Sequence, residues 1–287
     1  MSRLSDLKNR TRAFREIRSI MNAMKNLSIA ELGKLSRIRE PQEEMARIVE
    51  EALEEVESSG IAKLPIPPPG APRFYLLFGS ERGFCGDFNE AVLDRFDTER
   101  AMVPGPSKLL AVGRKIGAKL EGEQTLAGII EGPGTTGEIS GIIEGLLPRL
   151  AEFSAFDWVF IHHWGHDLPE RVRVFHPLTR NRKPENRRSS YPPLITLSPG
   201  ELAAGLFEQF LLAILDRAFT LSFQAENRQR LQHMNGALDS LDQTLEELEK
   251  HGHELRQEEI TEELEILLLG RGQRRERPEG TGADGPV

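Results

Sequence analysis

The sequence predicts an α/β fold in which a small Rossmann-like α/β domain is inserted between long amino- and carboxyl-terminal helices that pair as an antiparallel coiled coil. Three observations predict it. Apolar residues recur at alternating steps of three and four in both terminal segments. Between those segments, short apolar runs alternate with stretches of helical spacing. The proline-rich stretch PIPPPGAP (65–72) cannot be helix or inner strand and marks a boundary after the first segment.

Residues 1–59 read as the first shaft helix, with Leu4, Leu7, Phe14, Ile17, Met21, Met24, Leu35 and Ile38 on its seam. The same seam meets Ser28 and Glu31, and Pro41 is expected to kink or interrupt the helix. Residues 60–72 form the stiff linker. Residues 73–196 form the globular domain: FYLLF (74–78), KLLAV (108–112) and WVFIHH (158–163) read as buried strands, and 88–96 and 137–152 as helices. RVRVFHPL (171–178) alternates like a half-exposed strand, and RNRKPENRRSSYPP (180–193) reads as a loop. Ser198-Pro199-Gly200-Glu201 is a capping box opening a second shaft helix over 198–269. Its seam runs through Ala204, Phe207, Leu211, Ile214, Ala218, Leu221 and Ala225. After a one-residue slip near Arg228 it resumes at Leu231, Met234, Leu238, Leu241, Leu245, Leu248 and Leu255, broken by Gly252. A helix of that length measures about 100 Å at ~1.5 Å per residue, more than a domain of this size can bury. It must pair with another helix or lie inside a partner. Residues 270–287 read as a disordered tail.

Composition agrees. With 29% charged and 38% hydrophobic residues, the chain of 287 is lean for a single compact body. Charge is uneven: residues 1–40 carry a balance of +6 and residues 240–270 one of −8. Opposite charge at the two ends suits pairing of the two helices, and the apolar seam under the basic face argues against nucleic acid. No apolar run approaches the roughly 18 residues of a membrane span. The start MSRLSDLKNR does not read as a secretory signal. A lone cysteine excludes an internal disulfide framework and fits a reducing compartment.

Two stretches invite chemistry. GSERGFCGDFN (79–89) lies between a strand and a helix, where α/β proteins often hold phosphate. Its glycine spacing matches no phosphate fingerprint, it has no Lys-Ser/Thr, and Glu81 and Asp87 stand where an anion would sit. Tight-turn packing by Gly83 and Gly86 is the better reading, with Arg82 a packing or partner contact. Cys85 lacks a nearby base and reads as a small buried apolar group. HHWGH (162–166), with His176 as a further candidate, lacks the ligand spacing of a zinc site and reads as a strand end. No catalytic residue, cofactor or metal is expected.

At three places the residues resemble the ATP synthase gamma subunit. IRSIMNAMKNLS (17–28) is similar to the family's Lys-Ala-Met segment at Ala23 and Met24. SERGFCGDFN (80–89) matches its Ser-Asp-Arg-Gly-Leu-Cys-Gly-Gly-Leu-Asn at Arg82, Gly83, Cys85, Gly86 and Asn89. RQEEITEEL (256–264) matches at Arg256, Gln257, Ile260, Thr261, Glu263 and Leu264, and Met234, Ala237 and Asp239 fit a fourth stretch. Asn22, Asn235, His253 and Glu254 depart from the pattern and remove positive charge, which suggests a divergent or alternative-operon branch. The resemblance implies a non-enzymatic rotor whose coiled coil stands in a ring of alternating alpha and beta subunits. Its globular part would sit on the membrane c-ring beside the epsilon subunit, at the cytoplasmic face of the inner (plasma) membrane. It implies coupling of ion flow to conformational change in catalytic beta subunits, with Met24, Arg256 and Gln257 as contacts to beta. Without the resemblance, the residues alone leave two alternatives: a small-molecule or nucleotide-binding α/β protein with coiled-coil oligomerisation arms, and a coiled-coil adaptor.

Overall fold

The computed structural model describes residues 3–61, 67, 70–163, 169–173 and 195–275, with strand 169–173 and the last helical turns after 267 described by backbone alone. The linker is therefore only partly described. Trp164–His166 and His176, the loop 180–193 and the tail after 275 lie outside the described residues.

The elements are α1 (Arg3–Ser58), β1 (Arg73–Phe78), α2 (Phe88–Met102), β2 (Ser107–Val112), α3 (Arg114–Lys119), β3 (Leu126–Ile130), a short 3-10 turn (Thr136–Glu138), α4 (Ile139–Ala151), β4 (Asp157–His163), β5 (Pro169–Arg173) and α5 (Pro199–Arg275). By their contacts the residues separate into two units, Lys25–Met234 and Met1–Met24 with Asn235–Val287.

In the unit Lys25–Met234, one five-stranded sheet has the order β3-β2-β1-β4-β5. The first four strands are parallel and β5 lies antiparallel beside β4. Both faces are covered, as parallel strands require. The two-residue period of β1 sends Phe74, Leu76 and Phe78 to one face, against α4, α5 and the α1 residues Leu35, Val49 and Leu53. It sends Tyr75 and Leu77 to the other, against Val92 and Phe96 of α2 and Ile116 of α3. Beside the sheet, α5 is buried on every side from Ala218 to Asn227, polar residues included. The expected seam starts one residue late. Ala204 is exposed and Ala203 is buried, because the face packed in the first turns is set by Ala203, Phe210 and Leu211.

Pro41 does not interrupt α1. Proline removes one N–H and leaves one carbonyl a turn back without a helical partner. Pro41 is on the exposed side, where water can satisfy that carbonyl. Two elements absent from the sequence reading, α3 and β3, complete the sheet's far edge. The capping box at Ser198 forms as expected: Ser198 Oγ donates to Glu201 Oε2 at 2.6 Å and Glu201 N donates back to Ser198 Oγ at 3.4 Å.

In the unit Met1–Met24 with Asn235–Val287, Met21 packs with Leu238, Leu241 and Leu245, and Phe14 lies against them. Arg18 pairs with Asp242 at 2.5 Å and Arg15 with Glu249 at 2.7 Å. All four side chains are about half exposed, so these pairs add little stability. Ile17, expected on the seam, is 46% exposed.

Candidate functional site

The sheet order changes direction at β1. The chain leaves β1 toward β2 and β3, then returns to β4 on the other side. In open α/β folds, ligands bind beyond the carboxyl ends of the strands at such a point. The segment 79–87 stands there, between β1 and α2.

The donors that would cradle an anion are taken by the chain itself. Glu81 is 6% exposed, and its Oε2 accepts from Arg114 N at 3.0 Å and Gly132 N at 2.8 Å. Arg114 Nε also donates to Oε1. One carboxylate thus caps α3 and holds the turn after β3. Next to it, Ser80 and Asn89 exchange two hydrogen bonds of 2.8 Å, tying the start of the segment to the first turn of α2. At the end of β4, the His163 ring stacks on Phe88 with centroids 3.9 Å apart, and its Nε2 lies 2.9 Å from Phe88 O. Burial pushes the pKa of its neighbour His162 down to about 4, which keeps that ring neutral. Among the described residues, no group of His, Cys, Asp and Glu is placed to hold a metal ion.

The segment's other side meets α5. Arg230 and Glu226 form an ion pair one turn apart, both side chains under 5% exposed. Arg230 also donates to Gly83 O at 3.3 Å, Asn227 Oδ1 at 3.1 Å and Cys85 Sγ at 3.3 Å. Glu226 Oε1 accepts from Arg82 N at 3.4 Å. Burial raises the Glu226 pKa, and the Arg230 charge opposes the rise. Positive φ falls on Phe84 (64°) and Gly86 (56°) and not on Gly83. The aromatic ring between the two glycines is 59% exposed.

Cys85 is buried beside Phe88 and Ala225. Burial, reinforced by the Glu226 charge, pushes its thiol up to about 12. Since the thiolate is the reactive form, Cys85 is expected not to react with Ellman's reagent at pH 8 in the native chain. One thiol per chain should then appear in denaturant. Rapid native labelling would contradict this burial.

Of the residues expected to touch a partner, Met24 is half-buried, and Arg256 and Gln257 are exposed on α5. The Glu226–Arg230 pair was missed from sequence because a helix with one apolar stripe should turn these residues to water. The signal was present in Phe219 and Phe223, two aromatics off the stripe.

Comparison with known proteins converges on one family. The family model described as ATP synthase matches residues 3–268. An ATP synthase gamma chain of Clostridium botulinum is 28% identical over 280 residues, covering 93% of this chain and 96% of the relative. One from Desulfitobacterium hafniense is 23% identical over 290 residues, covering 94% and 98%. In fold, the chain is similar to one in the Euglena gracilis mitochondrial ATP synthase, in the assembly of OSCP, F1 and c-ring. That match has TM-score 0.59 and 13% identity, over 98% of this chain and 99% of that one. A chain of the Tetrahymena thermophila central stalk and c-ring matches with TM-score 0.53 and 15% identity, over 76% and 99%. With a family model spanning nearly its whole length, the chain belongs to the ATP synthase gamma family, the non-catalytic subunits that form the central stalk of the rotary enzyme.

Proposed function

We propose that the chain is the turning shaft of an F-type ATP synthase or ATPase, coupling ion flow through a membrane ring to conformational change in catalytic beta subunits. The observation that carries this reading is the order of contacts in the unit containing both ends of the chain. Met21 lies among Leu238, Leu241 and Leu245, Arg18 meets Asp242 and Arg15 meets Glu249. As numbers fall on α1 they rise on α5, the order expected of an antiparallel coiled coil. Two supercoiled helices give the torsional stiffness a shaft needs.

The partners follow from this reading: alpha and beta subunits around the coiled coil, epsilon and the c-ring at the globular unit. The Euglena and Tetrahymena assemblies support it, since each holds its similar chain together with a c-ring. No described helix is long and apolar enough to cross a membrane. Attachment at the cytoplasmic face of the membrane would therefore run through the ring. On this reading Arg256 and Gln257, which are exposed on α5, would bond a loop of beta that closes and releases as the shaft turns. An asymmetric shaft favours a different beta conformation at each angle, so rotation changes nucleotide affinity in turn.

Co-expression with alpha and beta subunits from the same genome tests this. The expected result is a complex containing one copy of this chain. The isolated chain should show no tight ATP binding by calorimetry. Failure to assemble with matched partners, or tight ATP binding by the chain alone, would overturn the reading.

A further inference from the structure

We propose that the carboxyl-terminal edge of the sheet is a collar that fixes the rotational setting of both long helices, with Glu31 as the positioning residue on α1. The inference rests on the rotor reading above and names where torque passes between sheet and helices.

Two segments at this edge do the holding: 79–87 after β1 and 131–138 after β3. On α1, Glu31 is 1% exposed. Its Oε2 accepts from Thr136 N at 2.8 Å and from Thr136 Oγ1 at 2.6 Å, and Oε1 accepts from Lys34 at 2.7 Å. Burial pushes its pKa up, but the bonds from Lys34 and Thr136 outweigh burial and hold it below the ordinary range. On α5, Arg230 holds Gly83 O, Glu226 holds Arg82 N and Ser222 Oγ donates to Phe78 O at 3.4 Å. The two segments are themselves in contact. A Cβ built on Gly134 would stand 2.9 Å from an Arg82 guanidinium nitrogen, and the Arg82 charge reaches Glu138 in the same turn.

Elsewhere in this unit, the contacts of α1 and α5 with the sheet are dominated by apolar side chains. Apolar burial is non-directional and resists separation more than twist. Hydrogen bonds to fixed backbone atoms are directional and resist twist. Glu31 and Ser28 interrupt the apolar seam of α1, and Glu31 stands, buried, at a position where leucine or isoleucine would pack. The carboxylate gives α1 one angular setting against Thr136.

The test uses the complete complex reconstituted with matched subunits, the alpha-beta ring fixed to a surface. A biotin is carried on Gly105→Cys, a site with open space around it. Angular fluctuation of a bead there is recorded without nucleotide. Glu31→Ala is expected to raise the angular variance at least two-fold while the complex assembles and melts as the parent does. Glu31→Gln keeps an oxygen for Thr136 N and Oγ1 and is expected to return the parent value. Unchanged variance in assembled Glu31→Ala overturns the collar. If that variant does not assemble, Glu31→Leu, which fills the site and accepts neither bond from Thr136, is read the same way, and unchanged variance overturns the collar there too. A parent chain that forms no complex rejects the rotor reading instead.

Discussion

Replacing Arg230 by methionine is expected to destabilise the unit Lys25–Met234 by about 3–5 kcal/mol, because it strands the Glu226 carboxylate in a dry site. Methionine approximates the length of the side chain, so packing loss is small beside loss of the charge. Glu226 is 2% exposed and is left with backbone bonds from Arg82 and Glu81 but no countercharge. Three further groups, Gly83 O, Asn227 Oδ1 and Cys85 Sγ, lose a donor. Adding Glu226→Gln removes the stranded charge and is expected to recover more than half of the loss. Denaturant unfolding of the purified chain, followed by circular dichroism, measures both. Recovery of nothing by the double variant would mean that the stranded charge is not the cause.

The same variant carries a pH signature of known sign. Burial raises the Glu226 pKa in the folded chain, and Arg230 opposes that rise. A carboxyl whose folded pKa lies above its unfolded value binds more protons when folded. Stability then falls as pH climbs from the unfolded value, ~4.3, through the folded one. Without Arg230 the folded pKa rises further. The deficit of Arg230→Met relative to the parent is therefore smallest near pH 4 and grows toward neutrality. A deficit constant over that range would place the damage in packing alone.

Much of the α/β middle was legible in the sequence, for reasons specific to its residues. FYLLF, KLLAV and WVFIHH are continuous apolar runs because parallel strands covered on both faces have no polar side. LAGII was not legible as β3. It lies at the sheet edge, only half-buried on alternate residues, with Gly128 in its middle. RKIGAK is a single helical turn and a half, too short for periodicity to register. The buried polar stretch of α5 was hidden for a different reason. A 4/3 seam assigns one buried stripe, whereas Thr220, Ser222, Gln224, Glu226 and Asn227 are buried because the helix is covered all round there. The segment 79–89 announced itself by its glycines and acids. Glu81 does stand where an anion would, but the sequence could not say that its partners are Arg114 and Gly132, brought in from two other loops.

Gly113→Ala is expected to be among the most damaging single-atom changes in this chain, costing about 3 kcal/mol or more. Gly113 has φ 106° and ψ 128°, a region closed to side-chain-bearing residues, with strain of order 1–3 kcal/mol. A Cβ there would stand 2.7 Å from Ser80 O and 2.8 Å from Gly79 O, both backbone atoms, adding an overpacking cost of similar size. Neither term relaxes easily, because Gly113 N is bonded to Ile130 O at 2.8 Å and Ser80 O accepts from Lys115 N at 3.1 Å. Gly83 makes the control. It has no positive φ, and a Cβ on it would meet only Lys115 Cε at 4.0 Å. Gly83→Ala is expected to leave stability unchanged or raise it by up to ~1 kcal/mol, through the unfolded chain. Thermal melts of the two variants separate the outcomes. The contrast bears on the segment's role: Gly83 matches the family pattern, yet the fold of this chain does not require glycine there. An assembled complex in which Gly83→Ala melts normally but turns over ATP more slowly would assign that glycine to a contact with a partner. Equal destabilisation by both substitutions would return it to the turn.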